Sequence, residues 1–271
     1  MTDAPPAAPP DPAAELLHET RDGIAFTTLN RPRAMNAFTF AMYEGLAARA
    51  AAITDDPAVR AWVITGAGDR AFAAGTDIGQ FRAFNTAAHA LEYESRIERC
   101  LSAIEDCGKP TIAAIHGACT GGGAGVAGVC DLRIGSAAMR FGVPIARTLG
   151  NTLSRGNYAR FAALLGPGRL KELIFTARLV EGEEAHRLGL VTELLPDQAA
   201  LLERAEALAR TVAAHAPLTL RAAKVTLKRL RDAATAGVEA DDMVALTYTS
   251  ADFKEGVEAF LARRKPVWTG R

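Results

Sequence analysis

The chain has no surplus of charge: 31 lysines and arginines are matched by 31 aspartates and glutamates over 271 residues. A neutral chain has no global basic field to hold nucleic acid or an anionic membrane, so any anion it binds must be met locally. Long apolar runs are missing too, and nothing approaches the roughly 20 residues that span a bilayer. The four cysteines, Cys100, Cys107, Cys119 and Cys130, show no C-x-x-C pairing, and no secretory apolar segment precedes them. They read as small buried residues of a reduced, cytoplasmic protein. Also absent are the GK[ST] of a phosphate-binding loop, an HExxH helix, an acidic calcium loop and a GxSxG elbow. Nucleotide hydrolysis, metal catalysis and serine hydrolysis lose their usual signatures together. His18, His89, His186 and His215 lie in scattered contexts without metal-ligand spacing, so no metal site is expected.

What is present is punctuation by proline and glycine. MTDAPPAAPPDP carries five prolines and little that can pack, which predicts a disordered arm over residues 1–14. Short β-branched runs follow, IAFTTL (24–29), AWVIT (61–65), TIAAI (111–115) and DLRIGS (131–136), separated by helix-period segments at 37–53 and 88–107. That alternation implies an α/β core of mainly parallel strands over 15–205. From residue 201 strand signals stop, and residues 206–271 read as a separate helical unit broken at Pro217.

Chemistry must then reside in the glycine turns. GACTGGGAGVAGVCD (117–131) holds six glycines in fifteen positions after an apolar run. Its GAGVAG formally matches a dinucleotide pattern, but ACTGG separates it from the strand, and the ribose-binding acid expected about 20 residues on is missing. The other reading is a strand-to-helix turn whose leading N–H groups point at a ligand oxygen, where the positive end of the helix dipole stabilises negative charge. A second tight turn, Ala73–Asp77, follows AWVIT and offers another such N–H. Together they would make an oxyanion hole. The alternative is that both turns only let strands meet helices closely.

Five segments in order, LNRPRAMNAF (29–38), GAGDRAFAAGTDIGQF (66–81), IHGACTGGGAGVAGVCDLRIGS (115–136), ARLVEGEEAHRLGLVTELL (177–195) and DFKEGVEAFLARRKPVW (252–268), resemble the signatures of the enoyl-CoA hydratase/isomerase (crotonase) superfamily. The resemblance runs from about residue 16 to 268. It implies a crotonase-like spiral of ββα units, a C-terminal helical trimerisation region giving a homotrimer or a hexamer built as a dimer of trimers, and an acyl-CoA substrate. Coenzyme A would be part of that substrate, so no separate cofactor is expected. By position, the oxyanion donors are the backbone N–H groups of Thr76 and Gly122, with the Thr76 hydroxyl expected to face solvent or cap a helix. The resemblance sets Arg33 and Ala34 near the CoA phosphates, Ala74, Asp77 and Ile78 beside the adenine, and Phe260 and Lys265 in the CoA pocket. Asp77 has an equally good reading as a cap of the following helix.

Two departures limit what the resemblance implies. Hydratases of the family commonly use two glutamates, because adding water across a double bond needs a base for the water and an acid for the α-carbon. Those positions hold Gly125 and Ile145 here. Arg147, Asn151 and Ser154 border the expected acyl pocket as candidates for a polar acyl group, or else as a helix cap and surface residues. His116 is expected to support the GGG turn through hydrogen bonds, and Asp131 and Arg133 to be structural. The sequence therefore favours an acyl-CoA enzyme working through a stabilised enolate, with decarboxylase-, lyase- or isomerase-type chemistry ahead of hydration. Two alternatives stay open: a hydratase or isomerase with a relocated acid/base, and a non-catalytic acyl-CoA binder.

Overall fold

The apolar runs become strands because both of their faces are covered. A computed structural model describes residues 14–83 and 86–271; all but the last residue of the expected arm at 1–14 lies outside them. The chain opens with strands β1 (Leu16–Arg21) and β2 (Ile24–Leu29), helix α1 (Phe40–Asp55), strands β3 (Ala61–Gly66) and β4 (Ala71–Ala74), and helix α2 (Ala87–Glu105). It continues through β5 (Thr111–Ile115), β6 (Ala118–Thr120), α3 (Gly122–Val129), β7 (Leu132–Ser136), β8 (Arg140–Gly142) and α4 (Ile145–Thr148). The pattern is a long strand, a short strand and a helix, three times over. One six-stranded sheet has the order β1-β2-β3-β5-β7-β10, with β10 at Glu193–Leu195, and only β1 runs antiparallel. The short strands form a second sheet, β4-β6-β8-β9, with β9 at Val180–Glu181. This is the expected spiral.

The remaining helices are α5 (Arg155–Leu165), α6 (Pro167–Thr176), α7 (Gly182–Arg187), α8 (Gln198–Ala213), α9 (Pro217–Ala234), α10 (Asp241–Tyr248) and α11 (Ala251–Leu261). Leu201, Ala205 and Ala209 of α8 pack on Ile24, Val63, Ile112 and Ile134 on one face of the large sheet. The other face carries the main core of Trp62, Phe72, Phe141 and the helices. A sheet buried on both faces explains why β3 and β5 read as unbroken apolar runs. Helix α8 spans the division expected between residues 205 and 206. Val244, Tyr248 and Phe253 of α10 and α11 belong to the main core, so the C-terminal helices help to build it. Among the described residues no helix is long and apolar enough to cross a membrane.

Helix boundaries follow local caps rather than the apolar period. Helix α1 begins at Phe40, not at residue 37, because Thr39 accepts from the Met42 N–H as N-cap while Asn36 sits in the left-handed region at φ 55. Helix α2 begins after Thr86, which accepts from the His89 N–H. Asn36 is fully buried; its Nδ2 donates to Ala67 O at 2.9 Å and Ala71 O at 2.7 Å, and its Oδ1 accepts from Arg31 N. It thereby fixes the crossing from β3 to β4. Asn36→Ala is expected to lower unfolding stability by about 2–3 kcal/mol, since it orphans buried backbone groups at a left-handed position. Urea unfolding measures this, and an unchanged midpoint would refute the role.

Candidate functional site

Strands β4 and β6 are parallel neighbours with Ala74 opposite Thr120, so the turns that follow them lie side by side. Phe38 brackets the first turn: its N–H donates to Gly75 O and its carbonyl accepts from Asp77 N, each at 2.8 Å. Alternation along the chain then turns the Thr76 N–H to the opposite side, away from Phe38. At the second turn, Gly121 at φ 52 and ψ −117 delivers the chain into α3, leaving Gly122 as the first helical residue. Its N–H has no acceptor one turn back in the helix. Among the described residues neither N–H is given to a main-chain carbonyl. The glycines are there because nothing larger fits. A Cβ at Gly122 would lie 2.0 Å from the Tyr43 hydroxyl, and one at Gly123 would lie 2.1 Å from Ala73 O.

Both turns open onto a cavity of about 170 Å³. Its walls are largely apolar, with Ile78, Ile97, Val143, Ile145 and Phe161, and its polar groups include Thr76, Glu94, Asn151 and Tyr248. The Thr76 hydroxyl is buried, 3.0 Å from Tyr43 Oη and 3.1 Å from Tyr93 Oη. This corrects the expectation of a solvent-facing or capping hydroxyl. The cause is long-range: α1 and α2 each bring a tyrosine to the turn.

Among the described residues one carboxyl enters the cavity, and it stands at neither expected position. Glu94 on α2 accepts a 2.5 Å hydrogen bond from the Tyr248 hydroxyl on α10. Asn151 Nδ2 in turn donates to Tyr248 Oη at 2.9 Å. Burial pushes the Glu94 carboxyl up to about 7, with repulsion from Glu98 adding to it, and bonds from Tyr248 and the Ser154 N–H oppose the rise. Asn151 Oδ1 is a buried acceptor without a partner among the described residues. Sequence reading missed Glu94 because LEYESRIERC looks like a solvated charged face. The available signal was its spacing: residues 90, 94, 97 and 101 fall on one helical stripe, whose other members are apolar.

The sequence matches the profile of a family described as enoyl-CoA hydratase/isomerase over residues 19–271. The chain belongs to that family. It is 34% identical over 259 residues to a crotonyl-CoA hydratase of Syntrophomonas wolfei, covering 92% of this chain and 96% of that protein. With the 2,3-dehydroadipyl-CoA hydratase of Escherichia coli K12 it shares 32% identity over 260 residues, covering 95% of this chain and all of the relative. Among solved structures, an enoyl-CoA hydratase/carnithine racemase from Magnetospirillum magneticum superposes with a TM-score of 0.76 at 35% identity, covering 95% and 96% of the two chains. It is therefore an acyl-CoA-processing enzyme of the enoyl-CoA hydratase/isomerase family.

Measured against that family's pattern, Thr76, Gly122, Gly125 and Ile145 all line the cavity, and so do Ala74, Ile78, Asn151 and Phe260. Arg147 does not: it is exposed on α4. Ser154 is outside the cavity wall as well, its hydroxyl capping α5 by accepting from the Asn157 N–H. Their side chains follow the helix-cap and surface reading, so Asn151 alone of the three reaches the cavity. Arg33 and Ala34 are exposed on the short turn Pro32–Ala34, and Lys265 is exposed in the tail. Asp77 pairs with Arg31 at 3.0 Å and accepts from the Gly79 N–H, which is a turn-capping role. The His116 ring bonds Ser136 Oγ at 2.8 Å and Asp69 O at 2.7 Å, bracing the chain just before Gly117. Arg133 donates to Leu190 O and Cys130 O behind α3, and Asp131 accepts from Thr111 and Lys224.

Proposed function

We propose that this enzyme forms and quenches a thioester enolate whose oxygen is held by the Thr76 and Gly122 amides. The observation that carries this reading is the pair of strand-end N–H groups, from neighbouring parallel strands, opening onto one apolar cavity with no internal carbonyl acceptor among the described residues. Such donors act on charge that develops in the transition state, where preorganised dipoles count most. Water addition through the usual pair of glutamates has no support, since Gly125 and Ile145 stand at their positions and a single carboxyl lines the cavity among the described residues. A single-carboxyl site suits a double-bond shift, which moves one proton at a time; lyase- or decarboxylase-type cleavage leans still more on the amides. The names of the hydratase relatives favour a second reading, hydration with a relocated acid/base.

Coenzyme A enters as part of the substrate in this reading. Arg33 and Lys265 are exposed cations suited to its phosphates, Ala34 adjoins Arg33, Asp77 pairs with Arg31 two positions before it, and Ala74, Ile78 and Phe260 flank the cavity. A homotrimer or dimer of trimers is part of the proposal, supported by exposed leucines on α9, Leu218, Leu227 and Leu230. The test offers butyryl-CoA in heavy water, then crotonyl-CoA, a 3-enoyl-CoA and methylmalonyl-CoA, with products followed by mass. Deuterium entry at the α-carbon, with turnover of the 3-enoyl or methylmalonyl thioester faster than crotonyl-CoA hydration, is expected. Crotonyl-CoA hydration as the dominant reaction would favour the second reading. Tight binding without exchange or turnover would instead make the protein a thioester binder.

A further inference from the structure

We propose that the Glu94 carboxyl, held by the Tyr248 hydroxyl, is the proton-transfer group of this cavity. The inference rests on the enolate reading above and names the residue that reading lacks. Among the described residues lining the cavity, the other ionisable side chains are Tyr43, Tyr93 and Tyr248, and burial raises the pKa of each phenol far above neutrality. No histidine or cysteine is among them. Glu94 is left as the one wall group that can gain and lose a proton at ordinary pH.

Its placement is built rather than incidental. Tyr93 and Glu94 are successive residues of α2; the first is bonded to Thr76 Oγ1 and the second faces the same cavity. The carboxyl is therefore fixed relative to the turn that carries one oxyanion amide. Tyr248 comes from 154 positions along the chain to donate to it, and Asn151 orients Tyr248 through Nδ2, which aims its own Oδ1 elsewhere as an unfilled buried acceptor. That oxygen offers a place to the O–H of a water or of a hydroxylated acyl chain. Glu94, Tyr248 and Asn151 thus form one bonded chain, with the Asn151 oxygen left for a ligand.

The step balances without a further reagent. The ionised carboxyl takes a proton from the α-carbon, the C–H electron pair becomes the enolate, and the charge rests on the thioester oxygen facing the two amides. The protonated carboxyl then returns the proton to the γ-carbon, which shifts a 3,4 double bond to 2,3; or it first trades that proton for a solvent deuteron and delivers the deuteron to the α-carbon, which is the exchange. Positioned general-base catalysis contributes about 10²- to 10⁴-fold.

The groups facing Glu94 are Tyr93 and Glu98 on its own helix, Tyr43 on α1, Tyr248 on α10, and the Ser154 N–H with Asn151 ahead of α5. Exchange of deuterium into butyryl-CoA by the full-length protein is expected to rise with pH through an inflection near 7. Glu94→Gln keeps an acceptor for Tyr248 and removes the base; it is expected to lose at least about 100-fold of exchange with butyryl-CoA affinity held within about threefold by calorimetry. Tyr248→Phe removes a bond that favours the anion, so it is expected to move the inflection upward. Exchange in Glu94→Gln within a few-fold of wild type overturns the proposal and leaves the enolate reading standing. Wild-type binding without exchange or turnover overturns both. If Glu94→Gln fails to fold, Glu94→Asp decides: a lower rate with the inflection retained supports the role, and an unchanged rate overturns it.

Discussion

Gly122→Pro, made in a Tyr43→Phe background, is expected to lower α-proton exchange by about 10²- to 10³-fold while the protein stays folded and still binds butyryl-CoA; this is the usual effect of deleting one oxyanion donor. Proline suits the first position of a helix, where its fixed φ is helical and the missing N–H had no intrahelical partner. Gly122 occupies that position in α3. The substitution therefore replaces the donor hydrogen by the ring Cδ and leaves the helix ladder intact. The background change is needed because any Cβ at residue 122 would meet the Tyr43 hydroxyl oxygen at 2.0 Å, whereas the ring carbon behind it lies at 3.3 Å. Tyr43→Phe alone is the control: it takes one of two phenols from Thr76 Oγ1, and Tyr93 keeps the other bond. Exchange in the double variant equal to that of the control, with binding retained, would remove Gly122 from the oxyanion hole.

The contrast between Gly122 and Thr76 shows what a sequence discloses about such a site. A backbone donor is signalled by what must be absent, a side chain, and the run of glycines after an apolar strand announces it locally. The strands themselves were legible for a similar reason, since β3 and β5 are buried on both faces and had to be mainly apolar. A side-chain role depends on partners far along the chain. The Thr76 hydroxyl meets Tyr43 and Tyr93, which periodicity places on helices α1 and α2 without saying where those helices land. Glu94 is the stronger case. Its position on the apolar stripe of α2 was readable, but the fact that sets it apart from a surface acid is Tyr248, and that contact exists only because α10 folds back across α2. For Arg147 and Ser154, which the sequence left open between acyl pocket and cap or surface, proximity in the chain to the expected pocket did not carry the side chains into it.

Arg160→Met is expected to cost about 3 kcal/mol of unfolding free energy at neutral pH, the lower end of the range for deleting one member of a buried ion pair. Arg160 on α5 is nearly inaccessible and forks to both Glu98 oxygens at 2.8 and 2.7 Å, while also reaching Glu105 Oε2 at 3.1 Å and Ser102 Oγ at 3.0 Å. The space around the pair leaves no slack, because a Cβ at Gly156 would sit 2.4 Å from Glu98 Oε2. Glu105 keeps Arg231 after the change, so Glu98 is the charge left exposed to the penalty. The lower figure applies because the Glu98 side chain retains 34% of its exposure and water screens part of the loss. Burial alone would raise the Glu98 carboxyl, but Arg160 overrides it and holds the group below the usual carboxylate range. A depressed native value means stability present above the unfolded carboxylate range and lost as pH falls through the native one. The difference between wild type and variant should therefore be widest near pH 7 and narrow toward pH 4, as read by urea unfolding at both. A constant difference would locate the cost in packing instead. The same change reaches the cavity, because Glu98 lies one helical turn after Glu94 and its charge already raises that carboxyl. Stripped of Arg160, an ionised Glu98 repels Glu94 more strongly, and the pH inflection for deuterium exchange should move upward. A clamp between α5 and α2 thus sets how readily the carboxyl in the cavity gives up its proton.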